Sequence, residues 1–255
     1  MLKTWKYALF FLLCLIIALL FNLPIQNVLS YVKLPDIVRV SGVDGTLLKG
    51  KAREVAIDNF PLWGVNYRYQ PSCIHLLKVC YYIDYDRGEL QAAYDLLNGD
   101  TEVTQALIHY QAAELASRLP DLPVQLTGRL ELQVEDLSLI NGKPQILNGR
   151  LIWHDLGLDE QGVKLDLGDY QLDFTGDTNR YDFKINDLDA SLEVDGDGQV
   201  KPTGEYEIDI KITSRSGIDP QIKYVLDIVA KKSGHNKYRA EQTGRLPPHI
   251  VRQLF

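Results

Sequence analysis

The side chains with the widest chemical range in this chain are five histidines, His75, His109, His154, His235 and His249, and they lie far apart. A metal site needs converging donors, such as His-x3-His or Glu-x2-His on one helix face, and neither pattern includes them. Asp195-Gly196-Asp197-Gly198 starts as a calcium loop would. The later oxygen ligands and the closing glutamate are missing, so it reads as a solvated hairpin tip. Asp166, Asp169, Asp173 and Asp177 alternate with core residues and mark the outward face of a sheet rather than a group of catalytic carboxylates. There is no Gly-x-Ser-x-Gly elbow and no phosphate loop. Trp63 and Trp153 are read as core or interface anchors. No catalytic, metal or cofactor-binding residue is assigned, and neither a cofactor nor an enzymatic activity is expected.

The cysteines carry the remaining chemistry. Cys14 lies within an apolar run and reads as a side chain facing lipid. Cys73 and Cys80 form a Cys-x6-Cys pair that fits no common zinc or redox spacing. In an oxidising compartment the pair suits one disulfide closing a short loop; two buried free thiols are the alternative.

That compartment follows from the start of the chain. No charged residue occurs from Tyr7 through Val32, and about 20 apolar residues in a helix suffice to cross a bilayer. Lys3 and Lys6 precede the run, which predicts a cytoplasmic N-terminus and export of everything that follows. A cleaved signal peptide would share these features, but no Ala-x-Ala follows the run and a retained anchor is expected. The expected organisation is a cytoplasmic stretch 1–6, a transmembrane anchor 7–23, a stalk 24–36 and a β-rich extracytoplasmic domain 37–255. Setting Lys3 and Lys6 aside turns the formal net charge of −7 into −9 for the exported part. That balance disfavours nucleic acid and anionic lipid surfaces as partners.

The exported part reads as mainly antiparallel β, a curved sheet with two short helices. Gly42 to Ala52 predicts a tight turn feeding a strand. Val65–Tyr69 and Val79–Tyr85 are rich in aromatic and branched residues that suit a pleated surface, and Glu89–Leu97 follows as a strand. Val124 to Glu135 alternates strictly, and the same alternation recurs through Val163–Leu167, Tyr170–Phe174, Tyr181–Ile185, Leu188–Val194 and Tyr206–Ile212. The apolar parity flips across Gly168-Asp169, which predicts a turn or bulge there. Asp177-Thr178-Asn179 reads as a hairpin tip. Helices are expected over 101–118, from the spacing of Val103, Ala106, Leu107, Tyr110 and Ala113, and after Asp219-Pro220. A Gly-Arg-Leu core recurs at 128–130, 149–151 and 244–246, suggesting repeated strand units or a shared local requirement.

Taken in order, several of these pieces carry a resemblance. Gly42-Val43-Asp44-Gly45-Thr46-Leu47-Leu48-Lys49-Gly50-Lys51-Ala52, Gly128-Arg129-Leu130, Gly149-Arg150-Leu151-x-Trp153, Leu167-Gly168-Asp169-Tyr170, Gly204-Glu205-Tyr206 and Gly244-Arg245-Leu246 resemble the type II secretion system protein N family. Leu48 stands where that family commonly has tryptophan. The motif residues are Gly45, Thr46, Leu47, Gly50, Gly149, Trp153, Gly168 and Tyr170. The resemblance implies a single-pass inner-membrane protein of Gram-negative bacteria with a periplasmic domain, accessory to export of folded proteins across the outer membrane. Its implied partners are other secretion proteins of the inner-membrane platform or periplasm, and it supplies no catalytic residues. A second reading is an AsmA-like envelope protein holding lipid or another hydrophobic ligand in a β-groove.

Overall fold

The computed structural model describes the chain except residues 1–6, 8, 13–14, 16–17, 19–21, 30–37, 58–59, 117–124, 141–142, 161–162, 215–219, 248–250 and 252–255. Much of the expected anchor lies outside the described residues, among which no helix is long and apolar enough to cross a membrane. Of the described ones, Tyr7, residues 9–12, Leu15 and Ala18 are helical and exposed, while Asn22 lies in a turn and Leu23 outside any element. The rest forms two compact units divided after Leu97.

The first unit begins with a short helix α1 (Ile25–Leu29) in the expected stalk. It continues through strands β1 (Val38–Ser41), β2 (Asp44–Gly45), β3 (Lys49–Ile57), β4 (Phe60–Gln70), β5 (Lys78–Tyr85) and β6 (Gly88–Asp95). β3 pairs with β1, β2 and β4, and β4, β5 and β6 follow in order, all antiparallel.

The second unit has β7 (Thr101–Gln111), helix α2 (Ala112–Ala116), β8 (Gln125–Ile140), β9 (Lys143–Glu160), β10 (Val163–Asp177), β11 (Tyr181–Ala190), β12 (Leu192–Val200) and β13 (Glu205–Ser214). Helix α3 (Pro220–Val229), β14 (Lys231–Gly234) and β15 (Lys237–Arg245) complete it. Sequential strands pair antiparallel from β7 to β13, and β15 lies between β13 and the short β14. Helix α3, starting at the expected proline, sets Ile222 and Leu226 against Tyr170, Leu192, Val194 and Tyr238, the last only 2% exposed.

Direct cross-strand partners explain why so many glycines sit inside strands. Gly50 faces Tyr67, Gly149 faces Phe174, Gly176 faces Tyr181, Gly198 faces Phe183 and Gly244 faces Tyr206. In each pair the ring occupies the space a Cβ would need. A strand glycine loses packing of its own, and an aromatic partner laid across it restores that packing while leaving the strand free to bend.

This device corrects several expectations. Asp195-Gly196-Asp197-Gly198 is not a hairpin tip; it runs through β12, because Phe183 covers Gly198 and Ile185 and Ile210 close over Gly196. The run Leu188–Val194 is not one strand but the junction of β11 and β12, broken at Ser191. The Gly-Arg-Leu recurrences share no common unit either. Gly149 and Gly244 each lie beneath a ring, whereas Gly128 sits at a register shift against the backbone of His154 and Asp155.

The expected helix 101–118 is mostly the strand β7, with only α2 helical after it. Gln105 has φ 58°, and Thr104 and Gln105 are consecutively exposed between half-buried Val103 and buried Ala106. This single irregularity turns a spacing of two into a spacing of three, which mimics a helical stripe. Thr101, Val103, Thr104, Ile108 and Tyr110 favour the strand.

Candidate interaction surfaces

In the first unit the Gly45-Thr46-Leu47 turn is held by tyrosines. Gly45 takes φ 115° and pairs with Gly50, where a side chain would collide with the Lys49 carbonyl. The Tyr67 hydroxyl donates to the Thr46 carbonyl at 2.7 Å and the Tyr81 hydroxyl to the Leu47 carbonyl at 3.0 Å. Tyr67 and Tyr69 each meet Tyr81 edge to face, with centroids 6.1 and 6.0 Å apart. Burial, then the neighbouring Tyr81 and Asp44, push the Tyr67 hydroxyl above its ordinary pKa, and burial with Tyr69 does the same for Tyr81. Both hydroxyls therefore stay protonated, and remain donors to these carbonyls, at neutral pH. The alternating pattern identified these tyrosines as strand residues but not as clamps on a turn.

Cys73 and Cys80 are joined, their Cα atoms 5.9 Å apart. The bridge ties a 3-10 turn, Pro71–Leu76, to the first residues of β5.

The other motif residues lie in the second unit. Trp153 and Tyr170 are direct partners across β9 and β10, Gly168 is two residues from Tyr170, and Gly149 sits apart beneath Phe174. Trp153 Nε1 donates to the Thr127 carbonyl at 3.0 Å, and the Tyr170 hydroxyl reaches the Leu167 and Leu192 carbonyls at 3.3 and 3.4 Å. These contacts brace a line of irregularities at one level of the sheet. The register shifts between Thr127 and Arg129, between Asp166 and Tyr170, and again between Asp169 and Tyr170 toward β11. The parity flip at Gly168-Asp169 marks this bulge.

Asp169 fastens the bend. Its carboxylate accepts the Asp155 N–H at 2.8 Å and lies 3.0 Å from His154 Nδ1. The backbone hydrogen bond first, then His154, hold it below the ordinary carboxylate pKa. A lowered folded pKa contributes stability above the unfolded value, about 4, that disappears as pH falls through the folded value. Asp169→Asn should cost about 1–2 kcal/mol at neutral pH, and the gap to wild type should close in acid below pH 4. Thermal unfolding of both proteins across pH checks this; a gap independent of pH would contradict it.

The opposite face of the sheet is polar. A depression of about 570 Å³ there is lined by Asp173, Asp182, Asp197, Glu207 and Asp209, with Lys184 among them. Arg239 makes a two-pronged contact with Asp209 at 2.8 and 2.7 Å, and Arg150 meets Asp173 at 2.7 Å. Burial opposes the charge of Asp173, but the Arg150 and Gln171 contacts outweigh it and lower its pKa. The Arg239 hydrogen bond lowers that of Asp209. Among the described residues no three His, Cys, Asp or Glu side chains are grouped to hold a metal ion. The face can present ion-paired carboxylates to a partner.

Residues 37–241 match the family described as Type II secretion system (T2SS), protein N. The chain is 23% identical over 246 residues to a type II secretion system protein N of Vibrio cholerae serotype O1, covering 94% of this chain and 98% of that protein. It is also 23% identical over 240 residues to a protein of the same description from Aeromonas hydrophila, covering 89% and 93% of the two chains. No solved structure matches it.

Proposed function

The chain belongs to the type II secretion system protein N family, and on that premise we propose that it is an accessory component for exporting folded proteins across the outer membrane, acting through contacts rather than catalysis. The observation that carries this reading is the extent of the family match, which leaves only residues 1–36 and 242–255 outside it. The fold suits the role. Strands whose rings lie on partner glycines form extended sheets with a large exposed surface, and ion-paired carboxylates line one face.

In this reading residues 1–6 are cytoplasmic, 7–23 cross the inner membrane, 24–36 form the stalk and 37–255 lie in the periplasm. The uncharged run behind Lys3 and Lys6 supports that placement, as do the exposed helical side chains Leu9, Phe10, Phe11 and Leu12. Other secretion proteins of the platform or periplasm are the partners. A ligand-holding role for the second unit finds less support, because its 570 Å³ depression is lined mainly by charged and polar side chains, with Phe183 the one large apolar residue among them.

Deletion of the gene followed by analysis of the culture medium tests the proposal. Exported substrates should fall in the medium and accumulate in the periplasm; unchanged secretion of every substrate would contradict it.

A further inference from the structure

Outside the N-terminal run, every described large apolar side chain that is more than half exposed belongs to two neighbouring loops of the first unit. Ile74 is 61% exposed, Leu76 56%, Leu77 52%, Leu96 60% and Leu97 73%. The Leu96 N–H donates to the Leu77 carbonyl at 3.1 Å, so the loops are side by side, and the Cys73–Cys80 bridge fixes the first of them. Leu77 adopts φ 56°, where glycine would fit without steric cost, yet its apolar side chain projects outward. The fold itself gains little from these side chains. Exposed apolar groups held in a defined shape mark a contact surface.

Their position indicates what they contact. Pro24, at the end of the apolar run, bridges to Thr46, and the Tyr69 N–H donates to the Leu48 carbonyl at 2.7 Å, one residue before the strand ends at Gln70. Gln70 pairs with Cys80, and Lys78 pairs with Asp95. The exit of residues 7–23 and both apolar loops are therefore at the same end of this sheet. Neither 71–77 nor 96–97 contains a carboxylate, although the chain carries 34 acidic residues. The negative charge that disfavours a lipid surface for the exported part as a whole is sparse at this tip, where Asp95 borders the second loop, accepts the Leu97 N–H at 2.8 Å and lies across the ladder from Lys78.

We propose that this loop pair is a second membrane contact, in which Ile74, Leu76, Leu77, Leu96 and Leu97 insert among the phospholipids around the N-terminal span and fix the tilt of the first unit. Shallow insertion of such apolar groups reaches about 5–10 Å, to the boundary of headgroups and acyl chains. The proposal rests on the reading that residues 7–23 cross the membrane.

The test uses the full chain in phosphatidylethanolamine–phosphatidylglycerol vesicles, with a photoreactive benzophenone side chain placed singly at Leu12, Leu76, Leu97 or Trp63. Trp63 is a partly exposed control on β4, about 23 Å from Gln70 at roughly 3.3 Å per residue. Adducts are identified by mass spectrometry, and thiol labelling checks that each variant keeps its disulfide. Lipid adducts at Leu12, Leu76 and Leu97, with the loop positions several-fold above Trp63, are expected. Lipid at Leu12 with the loops no higher than Trp63 overturns the loop contact and leaves the span standing. No lipid at Leu12 overturns the span on which the proposal rests. The same variants in cells should also give lipid adducts; protein adducts in their place at Leu76 and Leu97 would assign the tip to a protein partner and overturn the proposal.

Discussion

Gly168→Ala should destabilise the second unit by about 3 kcal/mol, combining backbone strain with a collision that cannot relax cheaply. Gly168 has φ 93°, a region that side chains rarely enter. A Cβ there would also lie 2.6 Å from the Cα of Ala190 across the ladder. Backbone cannot swing aside as a flexible side chain can, so β10 and β11 would have to separate at the bulge. The Tyr170 hydroxyl contacts and the Asp169 fastening lie within two residues and would be disturbed with it. Gly234→Ala on β14 is the control, since the nearest atom to its Cβ would be Lys237 at 3.7 Å. That change should stay within about 0.5 kcal/mol of wild type. Denaturant unfolding of the pair measures the difference, and equal stabilities would contradict this account of the bend.

The bulge at Gly168 was legible because strand periodicity is two: a parity flip in the apolar residues has to be absorbed by an irregular backbone. The same rule misled at β7, where the irregular residue is Gln105 rather than a glycine and the resulting spacing matched a helix. Asp195-Gly196-Asp197-Gly198 was misread for a different reason. Glycine and aspartate are turn formers by local preference, and only the partners Phe183, Ile185 and Ile210, distant in sequence, show that the glycines make room for side chains within the sheet. Local sequence cannot report a cross-strand partner. That also explains why Tyr67 and Tyr81 read as strand residues while their hydroxyls clamp the Thr46 and Leu47 carbonyls.

Replacing Cys73 and Cys80 together by serine should lower stability by about 2–3 kcal/mol, the entropy of closing a loop this short. The effect should be confined to the first unit, where the bridge joins the 3-10 turn to β5. Loss of the bridge should also release Ile74, Leu76 and Leu77 from their fixed arrangement beside Leu96. Hydrogen exchange resolves this: protection should fall around residues 71–82 and stay unchanged in β8–β13. Thiol labelling of unreduced, denatured envelope protein gives the same pair a topological use. Both cysteines should resist labelling until reduced, because the proposed periplasmic placement puts them in an oxidising compartment. Quantitative labelling without reduction would contradict the periplasmic placement.

The candidate surfaces were less legible than the fold. The structure gives the motif glycines Gly45, Gly50, Gly149 and Gly168 steric roles and Trp153 and Tyr170 bracing roles, neither of which shows in the local sequence. The exposed loop leucines carried no signal in sequence, since Leu76, Leu77, Leu96 and Leu97 fit the ends of strands as readily as an exposed tip. Exposure is a property of what fails to fold over a residue, and it emerges only with the tertiary structure.

This chain is proposed to act by touching other secretion proteins. Site-specific crosslinking in intact cells, with photoreactive side chains along the polar face at Asp182 and Glu207, measures that contact directly. Adducts with components of the secretion machinery are expected, and they should disappear when the probes are moved to buried Tyr238. Recovery of no secretion component from either position on the polar face, in cells that are actively secreting, would contradict that proposal.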